Sequence, residues 1–294
     1  MLRKLALVAG CVMSLASAGC RNDNNNFMPA DLSVGGGGDG GGNDMSMMKM
    51  YTAAKPHDID TGMVTKGTNV QLSGMVVVTP VSKFFSKSSA TCKYEVIVQD
   101  PTCTTPPCGI VVETNGMHLP VMDAGSSSCP TPPNGGTFLD PLNIGDNVDI
   151  TGAVDTFADS MNAAIVQHSV TADGATKTSG TATITPMPVS DNSQFVVHVT
   201  GQWMMYEGTV ITISGTGGGK LTISSVDTGT PYDFHTMPGN TSWGTDYHFS
   251  YKNGMDSDAG QFPQQGLQYT SITGVVDTLF GGAVKPRLMS DFVP

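Results

Sequence analysis

Charge is scarce in this chain, and positive charge most of all. Charged residues are 13% of 294, and 14 Lys and Arg stand against 25 Asp and Glu, for a net charge of −11 at neutral pH. Arg3 and Lys4 lie at the amino terminus, and no basic run or basic–aromatic interleaving follows them. Binding to phosphate backbones needs clustered Lys and Arg that displace counterions. The expectation from composition is therefore no nucleic acid among the partners. Aromatics are few, at 7% with 2 Trp. Beyond the amino terminus no stretch approaches the roughly 18 apolar residues that a membrane-spanning helix requires. The arrangements that announce catalysis are missing as well. There is no Ser-His-Asp order and no pair of carboxylates in a helical frame. Gly217-Gly-Gly-Lys220 is followed by Leu221, where a phosphate-binding loop needs Ser or Thr and then a helix. The chain is read as non-catalytic, with no catalytic residue, no metal ligand set and no cofactor beyond a covalent lipid described below.

What the chain has in plenty is Gly, at 36, and Pro, at 18, among many Thr, Ser and Val. Such a composition favours strands joined by turns, with hydroxyls supplying the surface polarity. The length allows about two domains. One phrase occurs twice: ITGAVDTF at Ile150–Phe157 and ITGVVDTL at Ile272–Leu279. In each, an alternating run meets a Gly, then a small apolar pair, then Asp-Thr. This reads as a strand that bends at Gly, duplicated once per domain.

In the first half, period-two alternation marks five strands: Asn69–Thr79, Lys93–Gln99, Ile110–Glu113, Asp146–Phe157 and Ala163–Val170. The first becomes a nearly continuous apolar run after Gly74. Asp173-Gly and Lys177-Thr-Ser-Gly read as turns opening an extended junction over 174–204, with Pro186 and Pro188 restricting it to open backbone. The second half begins at about 205. Tyr206–Ser214 matches the first strand, with Gly208 in the place of Gly74. Lys220–Val226 is the second strand, Leu267–Leu279 the long bent strand, and Ala283–Met289 the last, with Pro286 on an edge.

Six Cys occur, at 11, 20, 92, 103, 108 and 129, and none in the second half. Four lie inside the first domain, which in an exported protein means two disulfides. The favoured pairing is Cys103–Cys108 with Cys92–Cys129; the second choice is Cys92–Cys103 with Cys108–Cys129. Zinc is disfavoured, because four residues separate Cys103 and Cys108 where a zinc knuckle has two.

The second domain carries the densest aromatic stretch. Tyr232, His235, Trp243, Tyr247 and His248 are its candidate ligand-binding residues, since exposed rings stack on sugars or bases. Filling a barrel core is the competing use of the same rings. Asp233/His235 and Asp246/His248 share a spacing that places each pair on one side of a strand. Met45–Met50 holds four thioethers that would suit Cu(I). Asp256-Ser-Asp258-Ala-Gly260 is half a calcium loop, but Leu267 stands where the twelfth-position Glu belongs. His118 has no evident catalytic partner.

At the amino terminus, Arg3-Lys4 precede fourteen mostly apolar residues, Leu5–Ala18, and Ser17-Ala18-Gly19 precede Cys20. This resembles the bacterial lipoprotein signal, although Ser17 stands where Leu is usual. Val8-Ala9-Gly10-Cys11 is the alternative, with too short an apolar core for export. The resemblance implies that residues 1–19 are removed and that Cys20 carries lipid (palmitate among its acyl chains). Arg21 after the Cys, in place of Asp, implies the outer membrane. Residues 20–54, with Gly35–Gly42 broken only by Asp39, are expected to be a disordered tether.

The five-strand bend pattern resembles the OB-fold. The texture G–D–x–V–x–I–T–G–x–V and the ending G–G–A–V–K–P–R–L–M–S–D–F are similar to OB-like domains of exported bacterial proteins. Together the two resemblances describe a bacterial exported lipoprotein with tandem OB-fold-like domains. They imply an all-β chain: two tandem five-stranded OB-like Greek-key barrels, over 55–173 and 205–294. The expected function is that of a non-catalytic cell-envelope module. It is anchored to the membrane by its lipid and binds an envelope protein or glycan. The alternatives are an enzyme accessory or a metal-handling (Cu/Ca) protein.

Overall fold

The computed structural model describes residues 49–294, apart from 87–90, 119–128, 131–132, 160–161, 190–200, 216–217, 228–231, 238–241, 246–263 and 279–282. The expected signal segment, Cys20, residues 20–48 of the expected tether and Asp256–Gly260 lie outside the described residues; the last residues of that tether, expected to be disordered, instead include a strand, Thr52–Ala53, paired with the first barrel. Among the described residues, no helix is long and apolar enough to cross a membrane.

Among the described residues, nearly all of the regular structure is strand. Thr52–Ala53 (β1) leads into one short helix, Pro56–Asp60 (α1). Strands Asn69–Val77 (β2), Ser82–Ser86 (β3), Thr91–Gln99 (β4), Gly109–His118 (β5), Asp146–Ala158 (β6) and Val166–Thr181 (β7) complete the first sheet. Its ladder closes on itself. β2 pairs β4, β4 pairs β5, β5 pairs β7, β7 pairs β6, and β6 returns to β2. All of these are antiparallel except β5–β7, which is parallel. That order, 1-2-3-5-4-1, is the five-stranded Greek-key barrel of the OB-fold. β1 and β3 extend it at the margins.

The second sheet is built from Met187–Val189 (β8), Val210–Ser214 (β9), Leu221–Asp227 (β10), Tyr232–Met237 (β11), Ser242–Thr245 (β12), Gln268–Tyr269 (β13), Ser271–Asp277 (β14), Ala283–Lys285 (β15) and Phe292–Val293 (β16). The path β9–β14–β15–β12–β11 repeats β2–β6–β7–β5–β4, including a parallel pair, β12–β15. The equivalence corrects one expectation. β10 flanks β11 as β3 flanks β4, so the aromatic-rich stretch itself supplies the second and third barrel strands. Among the described residues, no ladder joins β9 to β11 as one joins β2 to β4.

The repeated phrase lies in the same strand of each sheet, β6 and β14. Its Gly is demanded by a close approach, not by an unusual backbone angle. A Cβ on Gly152 would lie 2.4 Å from the Thr171 carbonyl oxygen on β7, and one on Gly274 would lie 2.8 Å from the Lys285 carbonyl on β15. In both copies the fourth barrel strand presses its backbone on the fifth.

The two turn signals after residue 170 are bulges within one long strand. Thr151 faces Gly174 and Gly152 faces Ala172, leaving Asp173 as the extra residue. Its carboxylate accepts hydrogen bonds from Thr151 Oγ1 at 2.8 Å, from Tyr51 Oη at 2.9 Å and from Lys49 Nζ. A second bulge takes up Lys177–Gly180, where Gly180 has φ +92°. β7 thus runs on to Thr181, and what was read as a separate junction is part barrel strand and part β8, which pairs in parallel with β9. Residues 190–200 are not described.

Disulfides join Cys92 to Cys129 and Cys103 to Cys108. The second closes the β4–β5 hairpin, and the first ties the start of β4 to the segment before β6. His118 is the last residue of β5, opposite Thr91.

Each sheet has its own core. Leu72, Tyr94, Ile110 and Ile150 are in the first, and Trp203, Ile211, Leu221 and Ile272 in the second. A third cluster joins Val78, Ile97 and Val111 of the first barrel to Val210 and Val275 of the second. This explains why the apolar runs around Val76, Val96 and Val111 are continuous, not alternating. One face of each strand fills the barrel, and the other is covered by the second barrel. The backbones touch at this seam. A Cβ on Gly109 would lie 2.0 Å from the Gly208 carbonyl oxygen, and one on Gly208 would lie 2.3 Å from the Gly109 carbonyl carbon. Gly208 therefore does not bend a strand as Gly74 does. It lies before β9 and seats one barrel on the other.

Candidate functional site

Among the described residues, polar bonds join the two barrels beside the glycine contact. Thr209 Oγ1 accepts from the Cys108 amide at 2.9 Å, and Gln99 Oε1 accepts from the Val210 amide at 2.9 Å. Gln167 Nε2 donates to Asp277 Oδ1 at 2.7 Å. Asp277 also takes Lys285 Nζ at 2.5 Å, with both side chains almost wholly buried.

Next to this network lie three groups brought from distant parts of the chain: Asp60, His168 and Glu207. α1 delivers the first. Pro56 suits its first turn, the Asp58 carboxylate accepts from the Lys55 amide at 3.0 Å, and Ile59 is sunk in the first core, so the next residue is carried to the seam. His168 comes from β7. Glu207 follows a 3-10 turn, Gln202–Tyr206, that Trp203 anchors in the second core, and it precedes Gly208.

His168 Nδ1 lies 3.1 Å from Glu207 Oε2 and 3.4 Å from Asp60 Oδ1. One ligand atom from each residue lies within 4.8 Å of the other two. Glu207 Oε1 is already engaged, accepting from the His168 amide at 2.8 Å and from Thr278 Oγ1 at 2.8 Å. Thr278 belongs to the second copy of the repeat. The Asp60 side chain is 3% exposed, and neither of its oxygens has a hydrogen-bond partner. His57 Nδ1 and Ser169 Oγ are likewise buried without one. Burial, and then the negative charge of Glu207, hold the Asp60 carboxyl well above the usual carboxylate range. Burial also raises Glu207, against the pull of its bonds to His168 and Thr278.

The residues picked from the sequence lie elsewhere. Tyr232 and His235 are on β11 and Trp243 is on β12, with Tyr232 opposite Thr245 and His235 opposite Ser242. Tyr247 and His248 lie outside the described residues, as does Cys20. Sequence reading singled out none of the three clustered residues. Asp60 and Glu207 are separated along the chain by β2–β7 and β8, and no local motif connects them. The nearest signal was the repeat, which marks Thr278.

No family model matches the chain, and no curated protein matches it. Among solved structures, it is similar to the SSB domain of a Synechococcus sp. protein, with 15% identity over 36% of this chain and 91% of that one, at a TM-score of 0.24. It is similar to a small single-stranded DNA-binding protein from Streptomyces coelicolor, with 13% identity over 39% of this chain and 96% of that one, at 0.25. It is also similar to a replication protein A heterotrimer bound to ssDNA, with 10% identity over 78% of this chain and 49% of that one, at 0.29. These neighbours correct the expectation that nucleic acid is excluded. Two of the three are described with single-stranded DNA. The exclusion had rested on charge summed over the whole chain, which does not fix the potential of any one face.

Proposed function

We propose that the protein is a non-catalytic binding or scaffolding module of the cell envelope, held there by lipid on Cys20, with an envelope protein or a glycan as its ligand. The observation that supports a binding role is the difference between the two sheets. The first is closed and stapled by two disulfides. The second, among the described residues, lacks the closing ladder, and the aromatic-rich segment runs through its second and third barrel strands. Barrel strands that carry aromatic residues and no disulfide staple are suited to receive a ligand. The closed barrel and the shared apolar seam give them a rigid mount.

The test is a binding panel on the purified full chain: envelope glycan fragments, solubilised envelope proteins and a single-stranded oligonucleotide, each at low and high salt. Saturable binding of a glycan or envelope protein, weakened by Trp243→Ala, is the expected result. Tight oligonucleotide binding that falls steeply with salt, with no response to the other two, would overturn the choice of ligand.

A further inference from the structure

We propose that Asp60, His168 and Glu207 form a site for one divalent transition cation of the zinc class, clasping the start of the second barrel to the first. The reading goes beyond the binding role above and does not depend on it.

The first argument is the state of Asp60. Its carboxyl is 3% exposed, and both oxygens lack a hydrogen-bond partner. Buried polar groups are almost always satisfied, and an exception asks for a missing partner. A proton on Asp60 would turn one oxygen into a donor that itself needs an acceptor, whereas a cation partners the carboxylate directly. The second argument is geometry. Tetrahedral zinc with bonds of roughly 2.1 Å places its ligands about 3.4 Å apart. His168 Nδ1 is 3.1 Å from Glu207 Oε2 and 3.4 Å from Asp60 Oδ1. The third is how Glu207 is held. The His168 amide and Thr278 Oγ1 both donate to Oε1, which leaves Oε2 as the atom that meets the imidazole. Fixing a ligand through its second oxygen is how metal sites orient carboxylates. The donor set selects the ion. One imidazole nitrogen with two carboxylates suits zinc, whereas calcium and magnesium take six or more oxygens.

The three ligands come from α1, β7 and the entry to β9, so the ion binds only when both barrels are folded and docked. It therefore stabilises the docked state by mass action. The experiment uses the full chain, stripped with EDTA and returned to chelator-free buffer, and titrated with ZnCl2, MgCl2 and CaCl2 in parallel, by calorimetry and by thermal melting. The expected result is one equivalent of zinc. At 100 times its Kd the folding equilibrium shifts about 100-fold, or roughly 5–10 °C in Tm for a chain of this size. Magnesium and calcium give no comparable shift. Asp60→Asn keeps the shape of the side chain, so it is expected to fold and to lose the zinc response; His168→Ala is expected to lose it too. If His168→Ala fails to fold, the visible spectrum of the cobalt-loaded wild type reports whether the site is tetrahedral with nitrogen and oxygen donors. An unchanged zinc response in Asp60→Asn, no zinc response in the wild type at millimolar ion, or an equal response to calcium would overturn the assignment.

Discussion

Replacing Gly208 by Ala tests whether the two barrels form one body. The new Cβ would lie 2.3 Å from the Gly109 carbonyl carbon, 2.4 Å from its oxygen and 2.7 Å from the Ile110 amide nitrogen. All three are backbone atoms at the start of β5, so no side chain can rotate out of the way. Gly208 also has φ +65°, a conformation that costs an L-residue about 1–2 kcal/mol. Forcing a methyl group into a filled contact adds roughly 1–3 kcal/mol. Together these give a loss of about 2–5 kcal/mol. Gly74→Ala is the control: its φ is +68°, but nothing lies within 4 Å of the added atom. It should cost about 1–2 kcal/mol from conformation alone, less what Ala saves in the unfolded chain. Urea unfolding read as Cm at constant m separates the two variants. Equal losses would mean that the Gly109–Gly208 contact carries no energy and would refute the fused-barrel description.

Further predictions follow from the repeat, the disulfides and two depressed carboxylates. Asp155 and Asp277 hold the same place in the two copies, but Asp155 pairs with Lys66, which is 63% exposed, and Asp277 with Lys285, which is 3% exposed. Asp277→Ala should therefore cost about 3–5 kcal/mol and Asp155→Ala under about 1 kcal/mol in denaturant melts. Chain-entropy arguments give a loss of about 4 kcal/mol for Cys92→Ala/Cys129→Ala, whose bridge spans 37 residues, and about 2 kcal/mol for Cys103→Ala/Cys108→Ala, which spans 5; the reverse ranking would contradict this. Burial raises the Asp100 carboxyl, but bonds from Lys55 and Thr102 outweigh it and hold it below its ordinary value, and bonds from Lys49, Thr151 and Tyr51 do the same for Asp173. A folded pKa below the unfolded one adds stability above about pH 4 and loses it as pH falls through the folded value. The stability difference between wild type and Asp100→Asn should accordingly shrink on acidification, and a constant difference would count against it.

Much of the fold is legible in the sequence because strand alternation survives wherever one face meets solvent. Each of the five strands read in the first barrel overlaps an observed one, although the third and fifth run on to His118 and Thr181, and the repeated ITG–VDT phrase marks the fourth strand of each sheet. The pattern failed where a second surface covered the strand or a bulge interrupted it. Asp173-Gly174 has turn composition, yet the Asp173 carboxylate collects donors from Thr151 and Tyr51, and the strand continues past it. Gly208 stands in the place of Gly74 in the sequence, but its role is set by Gly109, its neighbour in space and far away along the chain. The Asp60–His168–Glu207 cluster left no trace in the sequence for the same reason. Each residue is ordinary in its own segment, and only docking of the barrels joins them. The charge argument failed differently, by treating a sum as a map.

The functional account depends on the protein working from a membrane surface, and that depends on Cys20. Cells expressing the full chain, labelled with radioactive palmitate and then fractionated, test this most directly. The account predicts label in the chain, recovery in the outer-membrane fraction, and loss of both in Cys20→Ala. An unlabelled soluble chain, or label that persists in Cys20→Ala, would contradict it.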